Sequence, residues 1–455
     1  MRHVELDSQM SFDFVPMSTN TDTFFNNLER AANAVRRSTL YLVYADITRT
    51  AEKDSETGRK GMRAEQVVRM AMIKQLYGLS YRELQMRVDD SLRLRQFAGY
   101  NYTKVHGFKT LQANIKAVSE ETWRQINRDI VKFGLKMKLD SLDQLRIDTT
   151  GIESDIHHPT DSSLLWDGIR VLTRMMQQAG NIFGVSFSFH NRSRVSKKLF
   201  FKIVNTKKTD FKQKLYGQLL DFARETCGYA KHAAKALRGI KTASDDTIDA
   251  AKRCAKEMEE FRELTLAVIR QAKRRVIKGE KVPAEEKVVS IFEPHTAILE
   301  KGDRETVFGH KTCFTIGRRL IFDADVSEEG NPNDSTLLPD ALTRHKKNYG
   351  KVPDDLATDG GFASKENALF AKRLGVKHIC FSKGVGKDTE ELLATGKTRN
   401  LLLRFRAGVE GVISGAKRGV NLVRAMWRGL EGFCKYVMSA VCAYNLRMIA
   451  MNLKA

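Results

Sequence analysis

Three acidic residues, Asp148, Asp359 and Glu410, have sequence neighbours that would hold a carboxylate in a fixed position. Asp148 falls within an alternating run, residues 144–150, which predicts a strand where a charge is costly unless it is used or paired. Asp359 follows the apolar run 356–358 and precedes two glycines, which allow a ligand or a backbone segment to approach closely. Carboxylates on converging elements bind Mg²⁺, and two ions about 3.5–4 Å apart can drive phosphodiester cleavage.

The third acid is better specified than the two aspartates, since an Asp before Gly at a strand end is also a common turn residue or helix cap. Arg406, Glu410 and Lys417 are spaced so that, at roughly 100° per residue, they fall within about 40° on one face of a predicted helix. Each glycine costs a helix about 1 kcal/mol relative to alanine, and close packing would explain a stripe of four on the opposite face: Gly408, Gly411, Gly415 and Gly419. An exposed Arg406–Glu410 ion pair is the alternative interpretation.

Residues 61–140, in front of the first strand, are predicted to be helical, and one further helix is predicted around residues 24–37. Gly78 stands where a helix C-terminal cap belongs, and Ser80 with Glu83 forms a capping box, so two helices meet at a tight turn. Four basic residues lie on the C-terminal side of this turn: Arg82, Arg87, Arg93 and Arg95. The pattern fits a helix-turn-helix-like DNA-binding unit and equally an ordinary helical hairpin with a solvated basic face.

The remaining pattern predicts an α/β fold with a mixed sheet, a helical domain in front and a helical insertion within. Residues 205–280 are predicted to be helical and strongly basic. Four strands are then expected at 288–292, 296–299, 311–316 and 320–326, with a hairpin turn at Gly317-Arg318. A strand–helix–strand unit comes next, with its helix capped by Ser364 and ending near Gly375, and the remainder, from about Arg406 to Asn452, is expected to be helical.

Composition favours an acidic partner. The 455 residues include 77 Lys and Arg against 55 Asp and Glu, a formal net charge of +22, which suggests nucleic acid first and an anionic membrane second. No run of about 20 apolar residues predicts a membrane span, and the N-terminus lacks the pattern of a signal peptide. The six cysteines fit neither a zinc site nor a disulfide framework, so we expect reduced, mostly buried thiols.

Taken together, the motifs resemble those of insertion-sequence DDE transposases. Arg406-x₃-Glu410-x₆-Lys417 is similar to the Y-x₂-R-x₃-E-x₆-K signature of that family, with Leu403 at the Tyr position. The family's two aspartate motifs are similar to the segments around Asp148 and Asp359. Further similar segments are residues 61–100, which resemble the N-terminal helical domain, 307–311 and 330–334.

The resemblance implies a ribonuclease-H-like catalytic domain that depends on Mg²⁺ or Mn²⁺, with two ions per active site. Asp148 and Asp359 would bind the metals, Glu410 would complete the site, and Arg406 and Lys417 would contact DNA phosphates near the cut. The expected domains are an N-terminal arm (1–60), a helical DNA-binding domain (61–140), the catalytic domain (141–162 and 287–455) and a basic helical insertion (163–286).

The expected function is therefore that of a cytoplasmic, nucleoid-associated transposase without a membrane partner. It would bind terminal inverted repeats as a homodimer, cleave the DNA and transfer 3′ hydroxyl ends to target DNA. A nuclease that only cuts is one alternative. A catalytically inactive, transposase-derived DNA-binding regulator is another, although the intact carboxylate trio argues against it. The insertion could hold DNA or a second protomer, or could merely be a solvated cover.

Overall fold

The computed structural model describes residues 19–49, 61–101, 103–300, 306–328, 330–383 and 389–453. The chain forms two compact units. Unit 1 comprises Met1–Ser154 and His310–Ala455, and unit 2 comprises Asp155–Gly309. Of the predicted N-terminal arm, residues 1–18 and 50–60 lie outside the described residues.

The part of unit 1 before the sheet is helical, which confirms the prediction for residues 61–140, whereas the single helix predicted around residues 24–37 is wrong because two helices meet there at residues 33–36. Its helices are α1 Thr19–Ala32, α2 Arg37–Arg49, α3 Ala64–Tyr77, α4 Tyr81–Asp90, α5 Leu92–Ala98, α6 Phe108–Ala117 and α7 Glu120–Lys136. The predicted turn is confirmed: Gly78 has φ +62°, and the Ser80 hydroxyl accepts a hydrogen bond from the amide of Glu83. The Glu83 carboxylate in turn accepts one from the amide of Ser80. Helix α3 is buried on almost every side, so it is a core helix and not half of an isolated hairpin.

A mixed sheet follows the helices. Its strands are β1 Gln144–Ser154, β2 Ala297–Leu299, β3 Val307–Ile316, β4 Ile321–Val326, β5 Asp355–Thr358, β6 His378–Phe381 and β7 Arg424–Ala425. The main order in unit 1 is β3-β1-β5-β6, in which β5 is parallel to both β1 and β6. Strand β4 runs antiparallel to β3 across the predicted turn at Gly317, while β7 pairs with the end of β1. In unit 2, β2 pairs with the first three residues of β3.

Among its described residues, unit 1 also contains the α-helices α12 Asp334–Tyr349, α13 Lys365–Leu374, α14 Gly396–Ala407, α15 Val409–Gly419 and α16 Leu430–Asn452. The mostly buried α16 packs against α1, α3, α7 and β4. One hydrophobic core therefore runs from Leu28 to Ala450 and includes both the N-terminal helices and the sheet. The segments predicted as a DNA-binding domain (61–140) and a catalytic domain share this core, because α16 fills the space between their elements.

Two further predictions need correction, one in each unit. Residues 288–292 do not form a strand, because side chains satisfy their backbone: Gln271 accepts from the amide of Val288, and Ser290 accepts from the amide of Phe292. The segment from about Arg406 to Asn452, for which the sequence predicts helix, is helical only in part. It is interrupted at Gly408 and again around β7.

Unit 2 has its own core. Its helices are α8 Asp161–Phe183, α9 Ser193–Asn205, α10 Thr209–Arg238 and α11 Asp245–Ala272, and its buried residues include Leu219 and Met258. The predicted insertion, residues 163–286, lies within this unit, which extends further at both ends. Among the described residues of both units, no helix is long and apolar enough to cross a membrane.

Candidate active site

The register between β1 and β5 brings two of the predicted acids together. Ile147 pairs with Thr358 in the parallel ladder, so the next positions along the two chains are Asp148 and Asp359. Neighbouring strands lie about 4.8 Å apart, which makes these two residues lateral neighbours. Both side chains are half-buried. The Asp359 carboxylate accepts a hydrogen bond from the amide of Gly361 at 2.9 Å, which holds it at the strand end.

Glu410 lies on a helix that follows the same face of β1. Strand alternation puts Arg146, Asp148 and Thr150 on one side of β1. The Lys417 ammonium donates to the Thr150 hydroxyl at 2.8 Å and to the Gly151 carbonyl at 3.1 Å, so α15 runs alongside Asp148. Glu410 lies about two turns before Lys417 on the same helix face.

The third acid is nevertheless not gathered with the other two. The side chain of Glu410 is exposed. Within the described part of the chain, no three His, Cys, Asp or Glu side chains converge into a formed metal site. The structure therefore pairs Asp148 with Asp359 and leaves Glu410 on the adjoining helix.

A buried arginine explains why the predicted helix breaks at Gly408. The Arg146 guanidinium donates to the carbonyls of Phe405 and Arg318, each at 2.9 Å, and to that of Gly317. A Cβ atom at Gly408 would lie 2.5 Å from Nη1 of Arg146. Burial lowers the pKa of Arg146 to about 10. Arg406 therefore belongs to α14, while Glu410 and Lys417 belong to α15, which corrects the prediction of one continuous helix.

Close packing accounts for part of the glycine stripe. A Cβ atom at Gly415 would lie 3.4 Å from the Tyr444 ring, and one at Gly419 would collide with the guanidinium of Arg447. At Gly411 a Cβ atom would meet nothing within 4 Å. The packing interpretation holds for the other three glycines and is wrong for Gly411.

Arg406 and Leu403, two further positions of the motif, differ in their surroundings. Arg406 is half-buried, and its Nε atom has no hydrogen-bond partner among the described residues. Leu403, at the position where the signature has Tyr, packs against an apolar cluster that includes Ala357 and Leu402.

Asp334 is a candidate residue to which the sequence assigned no role. Its Oδ1 atom accepts hydrogen bonds from the Thr149 hydroxyl at 2.9 Å and the Lys311 ammonium at 3.0 Å. A Cβ atom at Gly361 would lie 2.8 Å from Oδ2 of Asp334 and 3.2 Å from Oδ1 of Asp359. Asp334 thus adjoins the turn that holds Asp359. The only sequence signal was the resemblance of segments 307–311 and 330–334 to family segments.

The four N-terminal arginines differ in their surroundings. Arg93 forms an ion pair with Asp22, and Arg95 forms one with Asp89 at 2.6 Å. Arg82 and Arg87 lie on the exposed side of α4, where the Arg82 guanidinium stacks over the Phe108 ring at 4.8 Å. Arg82 and Arg87 therefore present charge to solvent, whereas Arg93 and Arg95 hold neighbouring segments together.

Comparison with known proteins finds two family models. One, described as a transposase DDE domain, matches residues 301–446, which include Asp359 and Glu410. The other, described as a transposase domain (DUF772), matches residues 21–117. Asp148 lies between the two matched segments. No curated protein and no solved structure matches the chain.

Proposed function

Because this chain belongs to the insertion-sequence DDE transposases, we propose that it cleaves DNA at the terminal inverted repeats of an insertion sequence and joins the 3′ hydroxyl ends to target DNA. The observation that carries the proposal is the register of β1 and β5, which makes Asp148 and Asp359 lateral neighbours. Strand ends of α/β sheets are where ligand sites collect. The two acids belong to motifs that recur in the same order in the family.

The order of elements supports a ribonuclease-H-like catalytic fold. An antiparallel hairpin, β3 and β4, lies on one side of β1, and the parallel strands β5 and β6 lie on the other. The helix that carries Glu410 follows the last of these parallel strands in the chain. Unit 2 is then an insertion that begins directly after β1 and ends within β3.

We propose that Asp148, Asp359 and Glu410 hold Mg²⁺ or Mn²⁺, two ions in all. The donor set fits, because it consists of carboxylate oxygens, which are the hard ligands these ions prefer, and because the acids retain access to solvent. Bound ions would activate the attacking oxygen and stabilise the leaving oxygen. The chain itself positions the donors: Gly361 holds Asp359, and Lys417 ties the helix of Glu410 to β1.

We further propose separate roles for the basic residues. Arg406 on α14 and Lys417 on α15 contact DNA phosphates near the cut. Arg82 and Arg87 present exposed positive charge on α4 that attracts DNA. Arg93 and Arg95 form ion pairs that fix the position of α5, and they support DNA binding in this indirect way. Action on two transposon ends calls for a homodimer on DNA.

The test uses labelled DNA that contains the two ends of the element from which the chain derives. With Mg²⁺ the parent protein should cut at the ends and join them to target DNA, and in EDTA it should bind without cutting. Asp359→Ala should bind but not cut, whereas Asp340→Ala, an exposed acid on α12, should behave as the parent. Equal cleavage by Asp359→Ala would overturn the assignment. Binding without any cleavage by the parent would favour the regulator.

A further inference from the structure

The helix α9 and the turn after it carry an unusual excess of positive charge. Between residues 192 and 214 the chain has one acidic residue, Asp210, and nine basic ones: Arg192, Arg194, Lys197, Lys198, Lys202, Lys207, Lys208, Lys212 and Lys214. Arg192 is paired with Glu225 at 3.0 Å. The other eight form no ion pair within the described residues, and seven of them are exposed. In unit 1, by contrast, Arg124 and Arg344 are held by Asp323.

A row of stacked groups in unit 2 ends at this basic helix. The Arg170 guanidinium lies over the rings of Phe292 and Trp166, at 5.5 and 5.2 Å from their centroids. Trp166 stacks on Phe200 with centroids 5.6 Å apart and planes 10° apart. The Phe200 ring lies 5.1 Å from that of Phe201, which is 51% exposed. The row therefore runs from half-buried groups to an exposed aromatic ring.

We propose that Phe201 and the cations around it, Lys197, Lys198 and Lys202, form a surface that binds DNA with unpaired bases. We call it the α9 surface. The lysines contact backbone phosphates, and a base extends the aromatic row by stacking on Phe201, an arrangement that tolerates any base. The choice of DNA as the polyanion rests on the proposed function. The role of the surface goes beyond that function, because it lies in unit 2, outside the catalytic residues.

Charge and burial favour DNA over two other occupants. A second copy of the chain would bring the same unpaired cations against each other in a self-complementary interface, which is repulsive. A membrane would need a broad apolar face. The apolar residues Leu199 and Ile203 of α9 are already buried in the core of unit 2. The exposed apolar residues of this helix are Val195, Phe201 and Val204, which are spread around it and do not form one broad face.

Unpaired bases are favoured over an intact duplex for a steric reason. In a duplex each base face is covered by its neighbours, so Phe201 can stack only where a base is unstacked or a strand is single. Lysines alone would bind both forms through their phosphates. The surface should therefore distinguish the two forms through Phe201 and hold both through its lysines.

The test measures binding of the full-length protein in EDTA, so that no cleavage is needed. Two labelled DNAs of equal length are titrated over a range of salt, one a blunt duplex and one with a single-stranded tail. The Lys197→Ala/Lys198→Ala/Lys202→Ala variant should weaken both DNAs and reduce the salt slope by about 3 where the lysines contact duplex and by about 2 where they contact a single strand. Its matched control removes three exposed lysines of the same unit, Lys231, Lys235 and Lys241, and should keep the parent's slope.

Phe201→Ala should weaken the tailed DNA by about 5- to 150-fold and leave the blunt duplex within about twofold of the parent. The proposal is overturned if the triple variant binds like its control, or if Phe201→Ala affects both DNAs equally. The proposal is also overturned if the triple variant or Phe201→Ala loses self-association, or loses binding to phosphatidylserine vesicles, while its DNA binding is unchanged. Asp359→Ala should bind tailed DNA normally. A parent that binds through this surface but never cuts would therefore refute the proposed function alone.

Discussion

The ammonium of Lys417 donates a hydrogen bond to the hydroxyl of Thr150, with Nζ and Oγ1 2.8 Å apart. A second bond reaches the carbonyl of Gly151. These contacts fasten α15, which carries Glu410, to the strand that carries Asp148. Lys417 therefore acts as a positioning residue for the catalytic carboxylates that we propose, in addition to its proposed contact with a DNA phosphate.

Replacement of Lys417 by Met should slow cleavage by about 100-fold, because Glu410 would no longer be held in place along β1. Cleavage rates and DNA affinity in EDTA would be measured separately. Arg418→Met, which changes an exposed cation on the same helix, is the control. If the Lys417 variant lost affinity and about one unit of salt slope but kept its cleavage rate on bound DNA, Lys417 would be a phosphate contact only.

Alanine substitutions at Gly408 and Gly411 should change the free energy of unfolding in opposite directions. Gly408→Ala puts a methyl group against the Arg146 guanidinium and should destabilise the protein by about 1–3 kcal/mol, since buried hydrogen bonds are lost. Gly411→Ala meets open space inside a helix and should stabilise by up to about 1 kcal/mol. Denaturant unfolding of both variants measures the difference. The same sign for both would contradict the account of the break between α14 and α15.

Asp334→Asn should reduce stability by about 1–3 kcal/mol, because the Lys311 ammonium would lose its charged partner in a mostly buried place. Cleavage should also require more Mg²⁺, since Asp334 adjoins the turn of Asp359. Thermal unfolding and a metal titration monitored by cleavage provide the two readouts. Asp340→Asn, six residues further along α12, serves as the control. An unchanged metal requirement would limit Asp334 to a structural role.

The stability of the protein should fall on mild acidification because of His345. This imidazole is buried on α12 beside Phe322 and Tyr349, and burial lowers its pKa from 6.5 to about 4. The unfolded chain therefore binds a proton between about pH 6.5 and pH 4 that the folded chain does not, so stability is lost as the pH falls through that window. Between about pH 7 and pH 5 the loss from this residue is about 2 kcal/mol.

His345→Phe keeps a ring in the aromatic cluster and should remove this part of the pH dependence. Unfolding free energies at several pH values would be compared with those of the parent. His232→Gln, at an exposed histidine of α10, should follow the parent's profile. Parallel profiles for His345→Phe and the parent would refute the role of His345. A second variant, His345→Leu, guards against a packing defect specific to Phe.

Features that depend on a few consecutive residues could be predicted from the sequence. The αL cap at Gly78 and the capping box of Ser80 and Glu83 are examples, because the groups that satisfy each helix end lie within three or four residues of it. The strand around Asp148, the hairpin at Gly317 and the strand before Asp359 were likewise visible in alternation and turn residues. The carboxylates were found in this way, and their matching motifs indicated the family.

Only the tertiary structure decided which of these residues meet. The pairing of Asp148 with Asp359 depends on a strand register between distant segments, and the break at Gly408 depends on Arg146, which reaches it from β1. The number of charged residues can be read from the sequence, but their ion pairs cannot. In the structure Arg93 and Arg95 form ion pairs with aspartates, whereas the lysines of α9 form no ion pair with the described residues. Local hydrogen bonds follow from the residues in a segment, but register, burial and pairing depend on which segments pack together.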